Sequence, residues 1–212
     1  VHQTLVILEW MRNNLETKLI LFGSSSEYGR STKSRAETDP LNPDTIYEGT
    51  KAAASMLARA WSKTWGLKVT LIRPFTIYGP DEKPTKLTQI LFKKYHDNSI
   101  LKLTDGVHDY MYIADFVNAT RLVAFWNESE NYNVVNLGSG VQKTNAEFVR
   151  AFQKQIGYTY PVELVEGAKS YDSTCWVADT TILEQKYCFK IPPFEHGIRQ
   201  LASCLLNGVA TH

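Results

Sequence analysis

Lys18-Leu-Ile-Leu-Phe22, then Gly23-Ser24-Ser25-Ser26-Glu27-Tyr28-Gly29, then Tyr47-Glu-Gly-Thr-Lys51 is the stretch whose reading decides the fold. The first five residues form a short apolar run closed by a glycine and a serine cluster, the pattern of a buried strand. A helix is expected from about Ile46 to Trp65, where Ala52, Ala53 and Ala54 favour it and Gly66 ends it. A second apolar run, Val69-Thr-Leu-Ile-Arg73, follows at once. Strand, helix, strand in this rhythm predicts an α/β fold built on a doubly wound, mostly parallel sheet. The same stretch carries chemistry. Ser24 ends the strand, and Tyr47 and Lys51 lie one turn apart on one helix face. A phenol is a poor base at neutral pH, but an ammonium one turn away stabilises a phenolate, and a serine hydroxyl aimed at the same oxygen completes a proton-transfer site.

A Tyr-x-x-x-Lys pair alone is weak, since about one arises by chance in a chain of this composition. Its neighbours raise its meaning: Arg73-Pro74-Phe-Thr-Ile-Tyr78-Gly79-Pro80, His108-Asp109-Tyr110-Met-Tyr-Ile-Ala-Asp115 and Trp176-Val-Ala-Asp179 follow in order. In that order the motifs resemble the extended short-chain dehydrogenases/reductases, in particular their NAD-dependent nucleotide-sugar epimerases and dehydratases, over nearly the whole chain. The resemblance implies Tyr47 as catalytic base, Lys51 as its electrostatic partner and Ser24 as the catalytic hydroxyl. It implies that Gly23, Tyr47, Lys51 and Pro74 approach the NAD or NADP cofactor, with Lys51 bonding the nicotinamide ribose. A nucleotide-sugar substrate is expected against Ser25, Ser26, Thr76, His108, Tyr171, Asp172 and Trp176. Strand alternation would set Ser24 and Ser26 on one face, with Ser25 and Glu27 on the other.

Dehydratases of this family carry an Asp-Glu pair directly after the catalytic hydroxyl, because elimination needs an acid and a base beyond the tyrosine. Those positions are Ser25 and Ser26 here. The expected activity is therefore 4-epimerisation or 4-keto reduction, with Tyr47 moving the hydroxyl proton. Thr76 stands where relatives commonly carry Asn, and His108 where they commonly carry an arginine for the diphosphate. An imidazole offers less than a fixed bidentate cation. Asp109 and Asp115 read as caps of a helix beginning near Ala114.

The family opens with a strand, a Gly-rich turn and a helix that hold the dinucleotide pyrophosphate. The one close glycine cluster here, Gly138-Ser-Gly140, has the wrong spacing and precedes the capping box Thr144-Asn-Ala-Glu147. Compared with the family, the chain reads as truncated at its N-terminus, with weak or absent NAD binding on its own. A cofactor-deficient remnant serving as a binding or assembly module is the alternative. Residues 1–80 are expected to form the truncated Rossmann-like part carrying Ser, Tyr and Lys. Residues 81–212 are expected to form the interleaved last sheet strands and a C-terminal substrate-binding lobe.

Composition sets limits. With 212 residues, 43% hydrophobic and 21% charged, the chain can bury one good core. A net charge of +1 gives no reason to expect nucleic acid or an anionic membrane. No apolar run could cross a bilayer and the first residues lack a signal-peptide pattern, so a cytoplasmic protein is expected. Three cysteines cannot all pair, and the five histidines are scattered, so reduced thiols and no metal site are expected. Lys18–Phe22 would be internal in relatives and an edge here. A homodimer or larger homo-oligomer is therefore expected, through the Thr4–Met11 and Ala52–Trp65 helices with Trp10, Leu57 and Trp61 at its centre.

Overall fold

The computed structural model describes residues 1–165 and 175–208. Tyr171 and Asp172 lie outside the described residues. The first elements are α1 (His2–Arg12), β1 (Lys18–Phe22), a 3-10 turn (Ser25–Tyr28), α2 (Ile46–Trp65), β2 (Lys68–Pro74), β3 (Thr76–Tyr78), α3 (Leu87–Asp97) and β4 (Leu101–Leu103). They are followed by β5 (Val107–Tyr112), α4 (Ile113–Phe125), β6 (Tyr132–Leu137), β7 (Gln142–Thr144), α5 (Asn145–Ile156), β8 (Val162–Leu164), α6 (Thr181–Gln185) and α7 (Phe194–Leu206).

The first sheet is parallel, in the order β1-β2-β6. Its middle strand is buried from Val69 to Arg73 without alternation, because helices cover both faces. On one face Leu8 and Met11 of α1 and Ala58 of α2 pack on Leu67 and Val69. On the other, Ala119 and Val123 of α4 and Leu183 of α6 pack on Ile72, Val135 and Leu137. Each such aliphatic side chain contributes about 1.5–3 kcal/mol when fully buried. Helix α2 spans the residues its composition predicts: Thr45 and Glu48 form a capping box at its start, and Gly66 ends it at φ 70°. Its sheet-facing positions are small, Ala52, Ser55, Ala58 and Ser62, which lets the helix lie close to the strands.

The second part pairs β3 with β5 in parallel and β5 with β7 antiparallel, while β4 and β8 form a separate parallel pair. Its core is aromatic: Tyr78, Tyr110, Phe148 and Phe152 pack with Leu91, Ile198 and Leu201. Tyr78 meets the Phe148 ring edge-to-face at 4.9 Å. The hydroxyl of Tyr78 lies against Gly197, where a Cβ would overlap it. The chain returns to the first sheet through β6 after β3 to β5 have been laid down, which interleaves the two parts.

One local expectation changes. Ser25 to Tyr28 does not prolong the strand; it forms a 3-10 turn capped by Ser24, so face alternation does not apply there. Further on, β5 begins at Val107 and gives way to α4 at Ile113. Its first residues join the sheet because His108 and Asp109 pair with Lys143 and Gln142, in a polar strand whose residues carry no apolar signal. The polar 30–44 loop is also tied down, with Arg35 bridging to Ala178.

Candidate active site

The C-terminal ends of β1 and β2 open into a cleft of about 750 Å³. One wall is the 3-10 turn, with Ser24, Ser25 and Ser26, together with Thr45, Tyr47 and Glu48 at the start of α2. Pro74, Phe75 and Ile77 run along its floor, and Thr76, Lys86, Val107, His108 and Trp176 make up the other wall. Eight of the sequence-selected residues thus meet in one cavity: Ser24, Ser25, Ser26, Tyr47, Pro74, Thr76, His108 and Trp176. Gly23 and Lys51 are not in its lining.

Ser24 has extended backbone, and its Oγ accepts from the Ser26 N–H at 3.2 Å while lying 3.0 Å from Ser26 Oγ. Both hydroxyls therefore belong to one small cluster at the strand end. Tyr47 is 57% exposed, so its ring stands in the cleft rather than in the core. Lys51, one turn later, donates from Nζ to the Phe22 carbonyl at 3.0 Å, fixing α2 to the end of β1. Glu48 carries a carboxylate into the lining, yet its Oε2 accepts from the Asp44 and Thr45 amides at 2.7 and 3.0 Å. Glu27 is fully buried beneath the serine turn, outside the lining.

On the far wall Thr76 Oγ1 lies 3.3 Å from His108 Nδ1. Trp176 donates its backbone N–H to Gln142 Oε1 at 2.9 Å and meets the Phe75 ring edge-on at 6.2 Å. Lys86 supplies a cation at the exposed start of α3. Sequence reasoning missed it, though Pro84 shortly before an apolar helical pattern marked a helix start. Thr45 and Glu48 were also missed, and their Thr-x-x-Glu spacing was the available signal.

Asp109 is buried and structural, but it does not cap α4, whose N-cap is Tyr112 without a side-chain bond. Its Oδ1 accepts from Ser139 N at 2.5 Å and Ser139 Oγ at 2.6 Å; its Oδ2 accepts from Gly140 N at 3.0 Å and Ala178 N at 2.9 Å. A Cβ on Gly138 would come within 2.6 Å of Oδ2. Gly138 thus makes room for a carboxylate of the chain itself, which takes the Ser139 and Gly140 amides that a pyrophosphate would need. Burial pushes the Asp109 carboxyl above its ordinary value, against the pull of the Ser139, Ala178 and Gly140 donors. Asp115 stands in the first turn of α4, where a negative charge suits the helix dipole. Under the floor, Tyr28 donates to Asn136 Oδ1 at 2.8 Å, and desolvation by burial raises its phenol to about 12.

As hydrogen-bonding groups, the Tyr47 phenol in the cleft and the Lys51 ammonium at the end of β1 suit the hydroxyls of a ribose. Among the described residues no group of three or more His, Cys, Asp or Glu is placed to hold a metal ion.

Comparison with known proteins identifies the family and the fold. A family model described as the NAD dependent epimerase/dehydratase family matches residues 1–138. A dTDP-glucose 4,6-dehydratase of Xanthomonas campestris is 30% identical over 171 residues, covering 79% of this chain and 46% of the relative. A UDP-glucuronate 4-epimerase of Thermodesulfobacterium geofontis is 26% identical over 178 residues, covering 82% and 54%. The crystal structure of a dTDP-glucose 4,6-dehydratase from Bacillus anthracis in complex with NAD superposes with a TM-score of 0.86 at 25% identity, covering 96% of this chain and 66% of that one. The chain spans about half the length of the curated relatives it matches.

Proposed function

This chain belongs to the NAD-dependent epimerase/dehydratase family, and from that premise we propose that it carries the proton-transfer and sugar-binding part of a nucleotide-sugar 4-epimerase or 4-keto reductase. What carries the reading is the set of acid/base groups in the cleft. Next to Tyr47 stand three serine hydroxyls, Ser24, Ser25 and Ser26. Neither nearby carboxylate is placed for elimination: Glu27 lies buried outside the lining, and one oxygen of Glu48 is taken by two backbone amides. Oxidation or reduction at C4 moves one proton on one hydroxyl, which a phenol and a serine can do. Loss of water from the sugar needs a further acid and base, and the one carboxylate of this lining, Glu48, has an oxygen held by two backbone amides.

In this reading Tyr47 takes the C4 hydroxyl proton as the carbonyl forms and returns it on reduction. Ser24 donates a hydrogen bond to the same oxygen. Lys51 holds α2 against β1 and stabilises negative charge on the phenol oxygen. The cofactor, NAD or NADP, is the hydride carrier when bound, held at its nicotinamide-ribose end by Tyr47, Lys51 and Pro74. Lys86 and His108 face the nucleotide diphosphate, Thr76 and Trp176 the sugar. Binding of NAD by this chain alone is expected to be weak, since its one close glycine cluster is filled by Asp109.

The direct test is product analysis by proton NMR after incubating the protein with NAD and a UDP- or dTDP-hexose. The C4 epimer supports epimerisation, and conversion of a 4-keto sugar with NADH or NADPH supports reduction. A 4-keto-6-deoxy product would overturn both.

The reading extends to a dimer through the outer faces of α1 and α2. Val6 and Trp10 of α1 are 57% and 55% exposed, and Trp61 borders the same groove of about 560 Å³. Leu57 and Trp61 lean partly into the core cluster beneath, so Trp10 is the better anchor. Light scattering near twice 24.1 kDa, falling to one chain in Trp10→Glu, supports this contact. A dimer surviving that change would move it to the exposed β1 edge at Phe22.

A further inference from the structure

We infer that Glu27, a carboxylate outside the cleft, is a positioning residue that sets the catalytic serine and the catalytic helix relative to one another. The inference rests on the reading of Ser24 and Tyr47 as site residues. Glu27 is fully buried and makes three charge-assisted bonds. Its Oε1 accepts from the Ser24 backbone N–H at 2.8 Å and from Ser55 Oγ at 2.9 Å. Its Oε2 accepts from Arg73 Nε at 3.0 Å. One carboxylate thereby joins the end of β1, the sheet-facing side of α2 and the end of β2.

The helical spacing gives this junction its meaning. Tyr47, Lys51 and Ser55 follow at intervals of four, so they share one face of α2. Lys51 bonds the Phe22 carbonyl and Ser55 bonds Glu27, two contacts that fix the rotation and height of that face above the strand end. Tyr47 is the third member of the row and makes its contact in the cleft. Glu27 also anchors the amide of the residue whose hydroxyl shares that cleft, so the Ser24 to Tyr47 geometry is set from below.

The surroundings are shaped for this carboxylate. Gly23 leaves open the space into which Oε1 projects, and a Cβ there would overlap it. Arg73 is itself held by donating from Nη1 to the Tyr28 hydroxyl at 2.8 Å, and that ring lies under its guanidinium at 4.6 Å. Buried charges in this arrangement are costly to disturb singly, so substitutions of Glu27 or Arg73 would test folding first.

Two variants reach the positioning role while leaving the ion pair in place. Ser55→Ala removes the helix contact; Gly23→Ala pushes Oε1 away from the Ser24 amide. Hydrogen exchange resolved at single amides is the measurement, because it needs neither cofactor nor turnover. The expected result is faster exchange at Ser24 and Ser26 and in the first turns of α2, by about tenfold, with the β2 amides Leu71 and Ile72 unchanged. In a preparation that turns over a nucleotide-hexose, kcat should fall by about tenfold or more while KM stays within about threefold. Uniform loss of protection across the sheet, unchanged exchange at Ser24, or a rise in KM alone would overturn the inference. If no nucleotide-hexose is turned over or bound by the parent protein, the functional reading fails while exchange still decides the role of Glu27.

Discussion

The two walls of the cleft are built in opposite ways. The wall with Ser24, Ser25, Ser26, Thr45, Tyr47 and Glu48 comes from one run of twenty-five residues, positions 24–48, between a strand and the first turn of the next helix. Thr76, Lys86, His108 and Trp176 come to the other wall from β3, the start of α3, β5 and the segment after β8. Each wall is pinned by a buried carboxylate taking several donors, Glu27 under the first and Asp109 under the second. The side chains of the first wall come from one continuous segment, although Glu27 beneath it ties that segment to Ser55 and Arg73 further along the chain. Recognition on the second depends on distant segments meeting, so damage to the walls should separate into lost turnover and lost binding.

The sharpest break of that contrast is Tyr47→Phe. It deletes only the transferable proton from an exposed ring, so folding should be intact while turnover falls by about 10²–10⁴-fold. A circular dichroism melt beside a steady-state rate measures both. More than about a third of the parent rate would remove Tyr47 from its role.

Next in size is Asp109→Ala, aimed at the second wall. Ser139, Gly140 and Ala178 amides would each lose their acceptor in a buried place, for a stability loss on the order of 3 kcal/mol. Substrate binding should weaken with it, because Ala178 is two residues from Trp176 and Asp109 is next to His108. Urea unfolding with an unchanged m-value gives the stability loss. An Ala variant as stable as the parent would mean that water satisfies those donors and that Asp109 pins nothing.

This contrast also decides what could be seen in the sequence. The first wall was legible because strand and helix are local patterns: α2, with its alanines and with Gly66 after it, follows from its own residues, and the Thr45 cap could have been read in the same way. The second was legible only residue by residue. Thr76 and His108 could be selected by resemblance, but nothing near them states that β3 pairs with β5 or that Asp109 fills the 138–140 turn. Gln142-Lys-Thr144 has no apolar alternation, and it becomes a strand because β5 offers it partners. Glu27 was hidden for the same reason. Its partners Ser55 and Arg73 lie 28 and 46 positions away, so strand alternation alone could only set it on the face opposite Ser24.

A third, smaller effect separates the halves by pH. Desolvation raises the phenols of Tyr78, Tyr110, Tyr112 and Tyr160 in the second part, Tyr112 to about 12, and those of Tyr28, Tyr132 and Tyr187 in the first part, Tyr28 and Tyr132 to about 12. A group whose folded value lies above its unfolded one contributes stability fully below the unfolded value, and loses it as pH rises through the folded one. The window is therefore about pH 10 to 12, with about 1.4 kcal/mol per unit of separation for a fully buried ring. With more such rings, the second part should loosen first on an alkaline titration. Phenolate absorbance should rise steeply with loss of near-ultraviolet dichroism, and a gradual rise near pH 10 with the fold intact would contradict the burial of these rings.

The smallest predicted effect tests what the second wall recognises. His108 stands beside Thr76 on that wall, and Lys86 supplies a cation to it. A single imidazole offers a diphosphate fewer directed donors than the planar, always-charged fork of a guanidinium. His108→Arg should therefore tighten UDP binding by about tenfold, or about 1.4 kcal/mol. The gain should shrink with added salt, since a new ion pair at an open cleft is screened. Calorimetric titration with UDP and uridine at two salt concentrations separates the diphosphate from the base. Equal tightening for uridine would place His108 against the nucleoside, and no change for either would place the diphosphate nearer Lys86 and the start of α3.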